Sequence, residues 1–279
     1  MNSTVQPFLK WAGGKRQLLT DIRKYVPSEF NTYYEPFIGA GAVLFDLAPK
    51  RAIINDNNQE LINLYKVIKD ARKVKLLLES LHNHKNEESY YYNLRILDRS
   101  EEYINLSDVE KASRFLYLNK TGYNGLYRVN SKGFFNVPFG KYKSPDYVNK
   151  NTIMDAHKYF NENDIVILNQ DFEDAVKGAS KGDFVYFDPP YDPVSKTSSF
   201  TSYTKDNFGD KEQIRLRNLF IDLYERGCFV LLSNSNTEFI NKLYNYPGIE
   251  VKTVEANRNI NSKGSGRGKI KEVLISNIK

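Results

Sequence analysis

The chain has 279 residues, enough for one large domain or two ordinary ones around a sizeable core. Hydrophobic residues make up 41% and charged residues 27%, which excludes a disordered chain, and the lack of any apolar run of about 18 residues excludes a helical membrane span. A net charge of +6 with 20 Tyr and 17 Phe fits a polyanionic partner whose bases stack on rings, although filling a core is the commoner use of such rings.

In chain order, "MNSTVQPFLKWAGGK" lacks the basic-then-apolar order of a secretion signal, and the lone Cys228 excludes an internal disulfide and any multi-cysteine zinc site. A reducing, cytoplasmic setting is therefore expected. "KWAGGKRQ" has the look of a phosphate loop through Gly14 and Lys15. It fails as one, because Arg16 stands where Ser or Thr would hold magnesium and Leu9 where the upstream glycine belongs. Two readings remain: a solvated basic turn, or a ligand-contacting turn carrying Trp11 and Lys15.

"TYYEPFIGAGAVLFDL" predicts a short strand over 32–35, a glycine-containing loop over 37–41 and then a helix. Gly39 and Gly41 would let that loop approach a nucleotide-like ligand closely, but Leu44 replaces the third glycine of a dinucleotide fingerprint. "RAIINDNN" predicts a strand over 52–55 ending at Asp56, an acid placed to accept from ribose hydroxyls or simply to cap the next helix. From Asn58 to Lys85 the spacing of Leu61, Leu64, Tyr65 and Ile68 predicts a helix.

The middle of the chain changes character. Ser107 and Glu110 open a helix with a capping box, which stops at "TGYNG". "LYRVNSKGFFNVPFGKYK" predicts a hairpin turning at "NSKG", with Pro138 ending its second strand. This block, rich in Lys, Arg, Tyr and Asn, reads as an insertion. Alternation then resumes with strands over 164–171, 183–188 and 228–235, helices over 211–225 and 237–244, and two closing strands around the basic loop "NSKGSGRGK". The predicted fold is α/β: a doubly wound, Rossmann-like sheet interrupted by a mainly helical subdomain that carries a hairpin. No internal repeat or low-complexity tract is present.

"DFVYFDPPYDP" is the most specific stretch. Pro189 and Pro190 after an apolar strand block helix and ladder hydrogen bonds, fix both φ angles and hold the Pro189 carbonyl in a stiff turn. Asp188 then stands at the carboxyl end of a buried strand, where ligands bind in open α/β sheets. An acceptor carboxylate, an acceptor carbonyl and the Tyr191 ring suit an amino group on a planar heterocycle. A purely structural Asp-Pro turn is the alternative, although turn chemistry alone would not ask for this composition. The chemistry implied is attack by a base's exocyclic amine on an activated methyl, with acceptors that strengthen as the nitrogen gains positive charge. It requires neither metal nor histidine, and His82, His84 and His157 fall outside every candidate site.

Taken in order, "FLKWAGGK", "YYEPFIGAGAVLFDL", "IIND", "YLNKTGYNGLYRVNSKGFFNVPFGKYK" and "DFVYFDPPYDP" resemble the Dam family of adenine-N6 DNA methyltransferases, within it the DpnM type of restriction-modification enzymes acting on GATC. The resemblance implies S-adenosylmethionine as methyl donor, no metal, and double-stranded DNA containing GATC as partner, with a restriction endonuclease as possible functional counterpart. It implies a methyltransferase domain from residues 1–58 and 162–279 and a target-recognition subdomain from residues 59–161. By position, Trp11, Ala12, Gly13, Gly14, Lys15, Asp56 and Asp188 correspond to cofactor contacts. Glu35, Phe37 and Gly39, Ala40 and Gly41 would lie against the methionine portion, and Asp171 with Phe172 against the adenine.

Catalysis falls to Asp188, Pro189, Pro190 and Tyr191. On the DNA side, Tyr123 would wedge between bases, with Asn124, Leu126 and Arg128 nearby and Lys10 and Pro138 also facing DNA. Lys141 stands where the family often has Arg, and lysine lacks the planar fork of a bidentate guanine contact. A base inside a duplex cannot reach an acceptor pocket, so the target must be flipped out, at a cost of roughly a few kcal/mol. Tyr123 could fill the gap or merely pack in the hairpin, and Arg128 could read a guanine edge. The loop 261–269 could contact phosphate or be a plain basic turn.

Overall fold

The computed structural model describes residues 5–11, 15–194, 208–257 and 269–278. Seven strands form one sheet: β1 (Tyr33–Glu35), β2 (Arg51–Asn55), β3 (Asp164–Leu168), β4 (Phe184–Phe187), β5 (Phe229–Ser235), β6 (Glu250–Asn257) and β7 (Lys269–Ser276), in the order β3-β2-β1-β4-β5-β7-β6. The first five are parallel, and β7 lies antiparallel between β5 and β6. The helices are α1 (Leu19–Ile22), α2 (Ala42–Leu47), α3 (Gln59–Lys69), α4 (Lys73–His82), α5 (Glu88–Ile96), α6 (Glu102–Asn105), α7 (Asp108–Thr121), α8 (Lys150–Glu162), α9 (Phe172–Ala175), α10 (Asp210–Glu225) and α11 (Glu238–Leu243). Among the described residues no helix is long and apolar enough to cross a membrane.

Helices cover both faces of the parallel strands, which is why those strands are apolar on both sides. Tyr33, Phe184 and Tyr186 point into one buried cluster, while Tyr34, Val185 and Phe187 point into another on the opposite face. The strand period of two thus splits each short run between two cores. The chain winds from β1 outward to β2 and β3, then returns to β4 and β5. Its switch point is the gap between β1 and β4, the crevice where open α/β sheets bind ligands. Glu35 ends β1 there and Asp188 follows β4.

Residues between β2 and β3 supply α3 to α8. Their buried rings, Tyr91, Phe115, Tyr117 and Phe135, belong to the same cluster as Tyr33 and Ile54 of the sheet. The capping box opens α7 as predicted, with Ser107 Oγ accepting from Glu110 N and the Glu110 carboxylate accepting from Ser107 N.

Three expectations are corrected. The helix predicted over 58–85 is two helices, because the Asp70 carboxylate accepts from the backbone N–H of Arg72 and Lys73 and caps a new start at α4. Helix α5 has no counterpart among the predicted elements. The hairpin exists only as two isolated bridges, Gly122↔Phe139 and Val129↔Phe135, around a turn closed by Asn130. It is also tied to the helices: half-buried Asp98 accepts from Phe135 N at 2.8 Å and from the Arg114 guanidinium at 3.0 Å.

Candidate active site and candidate nucleic-acid interface

Strand β4 ends in a corner held from several sides. Gln213, buried on α10, donates from Nε2 to the Pro190 carbonyl at 3.0 Å, and its Oε1 accepts from Asn234 Nδ2 at 3.0 Å. Asn234 Oδ1 in turn accepts from the backbone N–H of Asp192 at 3.0 Å and of Ser235 at 2.8 Å. The Pro190 carbonyl is therefore turned inward, while among the described residues no donor reaches the Pro189 carbonyl. The Tyr191 hydroxyl donates to Glu272 Oε2 at 2.8 Å, which fixes the ring from β7.

Lys15 is buried, and its Nζ lies 2.7 Å from Asp188 Oδ1 and 4.6 Å from the centroid of the Tyr191 ring. The solvated-turn reading of Lys15 is thereby excluded. Burial pushes the Asp188 carboxyl up to about 6, against the pull of Lys15. Burial likewise raises Glu35 well above the carboxylate range; its Oε2 accepts from Tyr33 Oη at 2.8 Å and from Leu44 N at 3.1 Å.

A pocket lined by Trp11, Lys15, Glu35, Gly39, Ala40 and Asp188 opens beside this corner. Its floor is the loop after β1. Gly39 has φ +47°, and a Cβ there would come 2.9 Å from Trp11 Cδ1, so glycine alone lets the indole lie on the loop. Gly41 has φ +71° and begins α2. Asp56 holds the same loop: it accepts from Gly39 N at 3.2 Å and Asn58 N at 3.0 Å, and burial pushes it up to about 6. It does the work of a turn-holding acid and keeps acceptor capacity, since a carboxylate offers about four lone-pair sites.

Phe37, Asp171 and Phe172 lie along the same strand ends. Phe172 is buried, stacked at 5.4 Å on Phe37 and covered by the Arg215 guanidinium, and Asp171 pairs with Arg215 at 3.0 Å. Ala12, Gly13 and Gly14 lie outside the described residues, as does the basic loop up to residue 268.

The second group of predicted residues gathers around the end of α7. Asn119, fully buried, accepts from Lys10 N at 3.0 Å and donates to the carbonyls of Lys10 at 2.7 Å and Gly125 at 3.2 Å. It thus brings Lys10 against the "YNG" turn, in which Asn124 has φ 55° and a Cβ on Gly125 would collide with the Lys10 side chain. Tyr123 N donates to the Pro138 carbonyl at 2.9 Å, and Tyr123 is 44% exposed. Arg128 is exposed and donates to the Asn136 carbonyl at 2.7 Å; Lys141, also exposed, has φ 54°. Leu126 is half-buried. Nearby Lys120 is lowered to about 8 by burial, with Lys10 and Arg16 adding repulsion.

Gln213, Asn234, Glu272 and Asn119 are functional neighbours that the sequence reading misses. Gln213 leaves a signal, being a polar residue on the stripe that continues with Leu216 and Phe220. Among the described residues no cluster of three or more His, Cys, Asp or Glu could hold a metal. His84 is structural: burial lowers it to about 4, and its ring nitrogens meet Tyr90 Oη at 2.7 Å and Ser113 Oγ at 2.9 Å.

Residues 11–260 match the family described as D12 class N6 adenine-specific DNA methyltransferase. Among curated proteins, the chain is 48% identical over 273 residues to the Type II methyltransferase M1.LlaDCHI of Lactococcus lactis subsp. cremoris, covering 98% of this chain and 95% of that one. It is 43% identical over 293 residues to the Type II methyltransferase M.MjaIII of Methanocaldococcus jannaschii, covering 98% and 99%. It is 36% identical over 278 residues to the DNA adenine methylase of Haemophilus influenzae, covering 96% and 92%. Agreement over nearly the full length is sufficient: the chain belongs to the family of D12 class N6 adenine-specific DNA methyltransferases.

Proposed function

We propose that the protein methylates the exocyclic N6 amine of adenine in GATC duplexes, using S-adenosylmethionine and a target base swung out of the helix. The observation that carries this reading is the seat of the Lys15 ammonium, against Asp188 Oδ1 and over the face of Tyr191. The corner already holds a positively charged N–H group between a carboxylate and an aromatic ring. A methylated adenine nitrogen is the same kind of group at the moment its bond to carbon forms.

Neutral adenine is a poor nucleophile because the N6 lone pair is delocalised into its ring. Asp188 and the Pro189 carbonyl accept its two hydrogens, and both contacts strengthen as nitrogen becomes positive, which lowers the barrier selectively. Asp188, at about 6, is a base able to take the proton that the nitrogen sheds. Tyr191, fixed by Glu272, supplies the stacking face, and Gln213 keeps the Pro190 carbonyl from competing.

The fit of the cofactor is supported by the Gly39 cradle under Trp11 and by the acids Glu35 and Asp56 facing the loop. When bound, S-adenosylmethionine supplies a methyl on a positively charged sulfur. Residues 1–58 and 162–279 carry this chemistry and residues 59–161 the recognition. Tyr123 fills the gap left by the flipped base, while Lys10, Asn124, Leu126, Arg128, Pro138 and Lys141 face DNA. A restriction endonuclease is a functional counterpart rather than a bound subunit, and a reducing cytoplasm suits the lone, buried Cys228, raised to about 11 by burial.

The test is labelled methyl transfer to two duplexes differing only at GATC. Incorporation confined to the GATC duplex, recovered as N6-methyladenine, is expected. Equal incorporation into a scrambled duplex would remove the specificity claim.

A further inference from the structure

Between Leu126 and Arg128, Tyr127 turns the other way. It is 7% exposed and its ring lies 5.4 Å from the Trp11 indole at an interplanar angle of 16°, a parallel stack. Phe115 and Phe135 close around it at 5.1 and 5.6 Å. Trp11 in turn lies on Gly39, where a Cβ would collide with the indole edge. Asn58 caps α3, and its backbone N–H is held by Asp56. Asp56 accepts from Gly39 N, so one line of contacts runs from Tyr127 through Trp11 and Gly39 to Asp56.

We propose that Tyr127 is a positioning residue that links the DNA-facing segment to the cofactor loop, so that duplex binding tightens cofactor binding through the Trp11 stack. The inference rests on the proposed function, in which the neighbours of Tyr127 meet DNA and the Gly39 loop meets the cofactor. The physical basis is that a packed stack transmits displacement: fixing residues 123–128 on a duplex fixes the ring beneath Trp11 and removes motion that the cofactor would otherwise have to quench. Coupling of this kind is reciprocal, so the cofactor must tighten duplex binding by the same factor.

Trp11 is the only tryptophan of the chain, so its fluorescence reports the stack directly. The dissociation constant of S-adenosylhomocysteine is measured calorimetrically with and without a GATC duplex, for the full chain and for Tyr127→Phe and Tyr127→Met. In the unaltered protein the duplex is expected to tighten S-adenosylhomocysteine by about fivefold or more. Tyr127→Phe keeps the flat ring and this ratio to within about twofold. Tyr127→Met fills the space without a plane, shifts Trp11 emission and brings the ratio to about one.

A ratio unchanged in Tyr127→Met overturns the inference while leaving the proposed function intact. An unaltered protein that binds S-adenosylhomocysteine and GATC duplex without mutual effect also overturns it. One that binds neither ligand overturns the proposed function and this inference together. Should Tyr127→Met fail to fold, Tyr127→Leu decides the same question: a retained ratio sinks the relay, and a lost one supports it.

Discussion

Around Asp188 the backbone is held by side chains from α10, β5 and β7, whereas the segment from Gly122 to Lys143 combines its own turns with anchors reaching its inner edge from α5 and α7. Gln213, Asn234 and Glu272 reach the corner from α10, β5 and β7, and all three are buried. The second segment has two isolated bridges, two non-glycine residues with positive φ, and an outer row of exposed side chains. Its anchors include Asn119 at one end, Tyr127 in the middle, Asp98 with Arg114 under Phe135, and Tyr91 with Arg95 at the Val137 carbonyl. The contrast fits the two tasks proposed for these regions. Stabilising charge that develops on one nitrogen requires acceptors fixed in advance, because reorganisation during the reaction would consume the gain. Reading a duplex requires side chains that settle on the partner, and a scaffold that fixes only their roots suffices.

The largest expected effect breaks the first region. Asp188→Ala should lower single-turnover methyl transfer by about 10³-fold, the scale for losing a preorganised charge-stabilising group. A near-normal rate in rapid-quench measurements would refute its role. Next, Arg114→Ala strips the buried partner of Asp98 and Glu60 beneath the second region. It should destabilise the fold by about 3–5 kcal/mol, read as a lower denaturant midpoint, since uncompensated buried charge is left behind. Arg128→Ala tests recognition: transfer to sites with one altered base should rise relative to GATC, closing a gap of about 1–3 kcal/mol, while the lost bond to the Asn136 carbonyl should cost no more than about 1 kcal/mol of stability.

The smallest effects come from pH. With Asp188 at about 6, transfer should fall about tenfold per unit below that value as the acceptor is protonated. A profile flat to pH 4 would contradict the assignment. The stability effect has its own sign. Asp56 and Asp188 titrate in the folded protein above their ordinary 3.8, so the folded state holds extra protons between about 4 and 6. Each therefore contributes stability at acid pH that is lost as pH rises through that window. Asp56→Asn should flatten the decline in melting temperature over the same range.

Much of the catalytic region is legible in the sequence because it obeys short-range rules. A four-residue apolar run closed by Asp-Pro-Pro can only be a buried strand ending in a stiff turn, and glycines between a strand and a helix can only be a close-approach loop. Asp70 defeats the helix prediction because its carboxylate competes with the backbone, which periodicity does not register. Gln213 and Glu272 are hidden for another reason. Their partners Pro190 and Tyr191 lie far away in sequence, and only the sheet order brings them together. Tyr127 sits between residues that face outward, and its inward turn follows from the bridge at Val129 rather than from composition.

The central claim is that Asp188 and the Pro189 carbonyl receive the target amine on the face of Tyr191. A crystal structure with S-adenosylhomocysteine and a GATC duplex tests it most directly. The extruded adenine N6 should lie about 2.7–3.2 Å from both acceptors, with Lys15 displaced from the ring. A structure with bound duplex in which Lys15 still occupies Asp188 and the adenine is seated elsewhere would contradict the account.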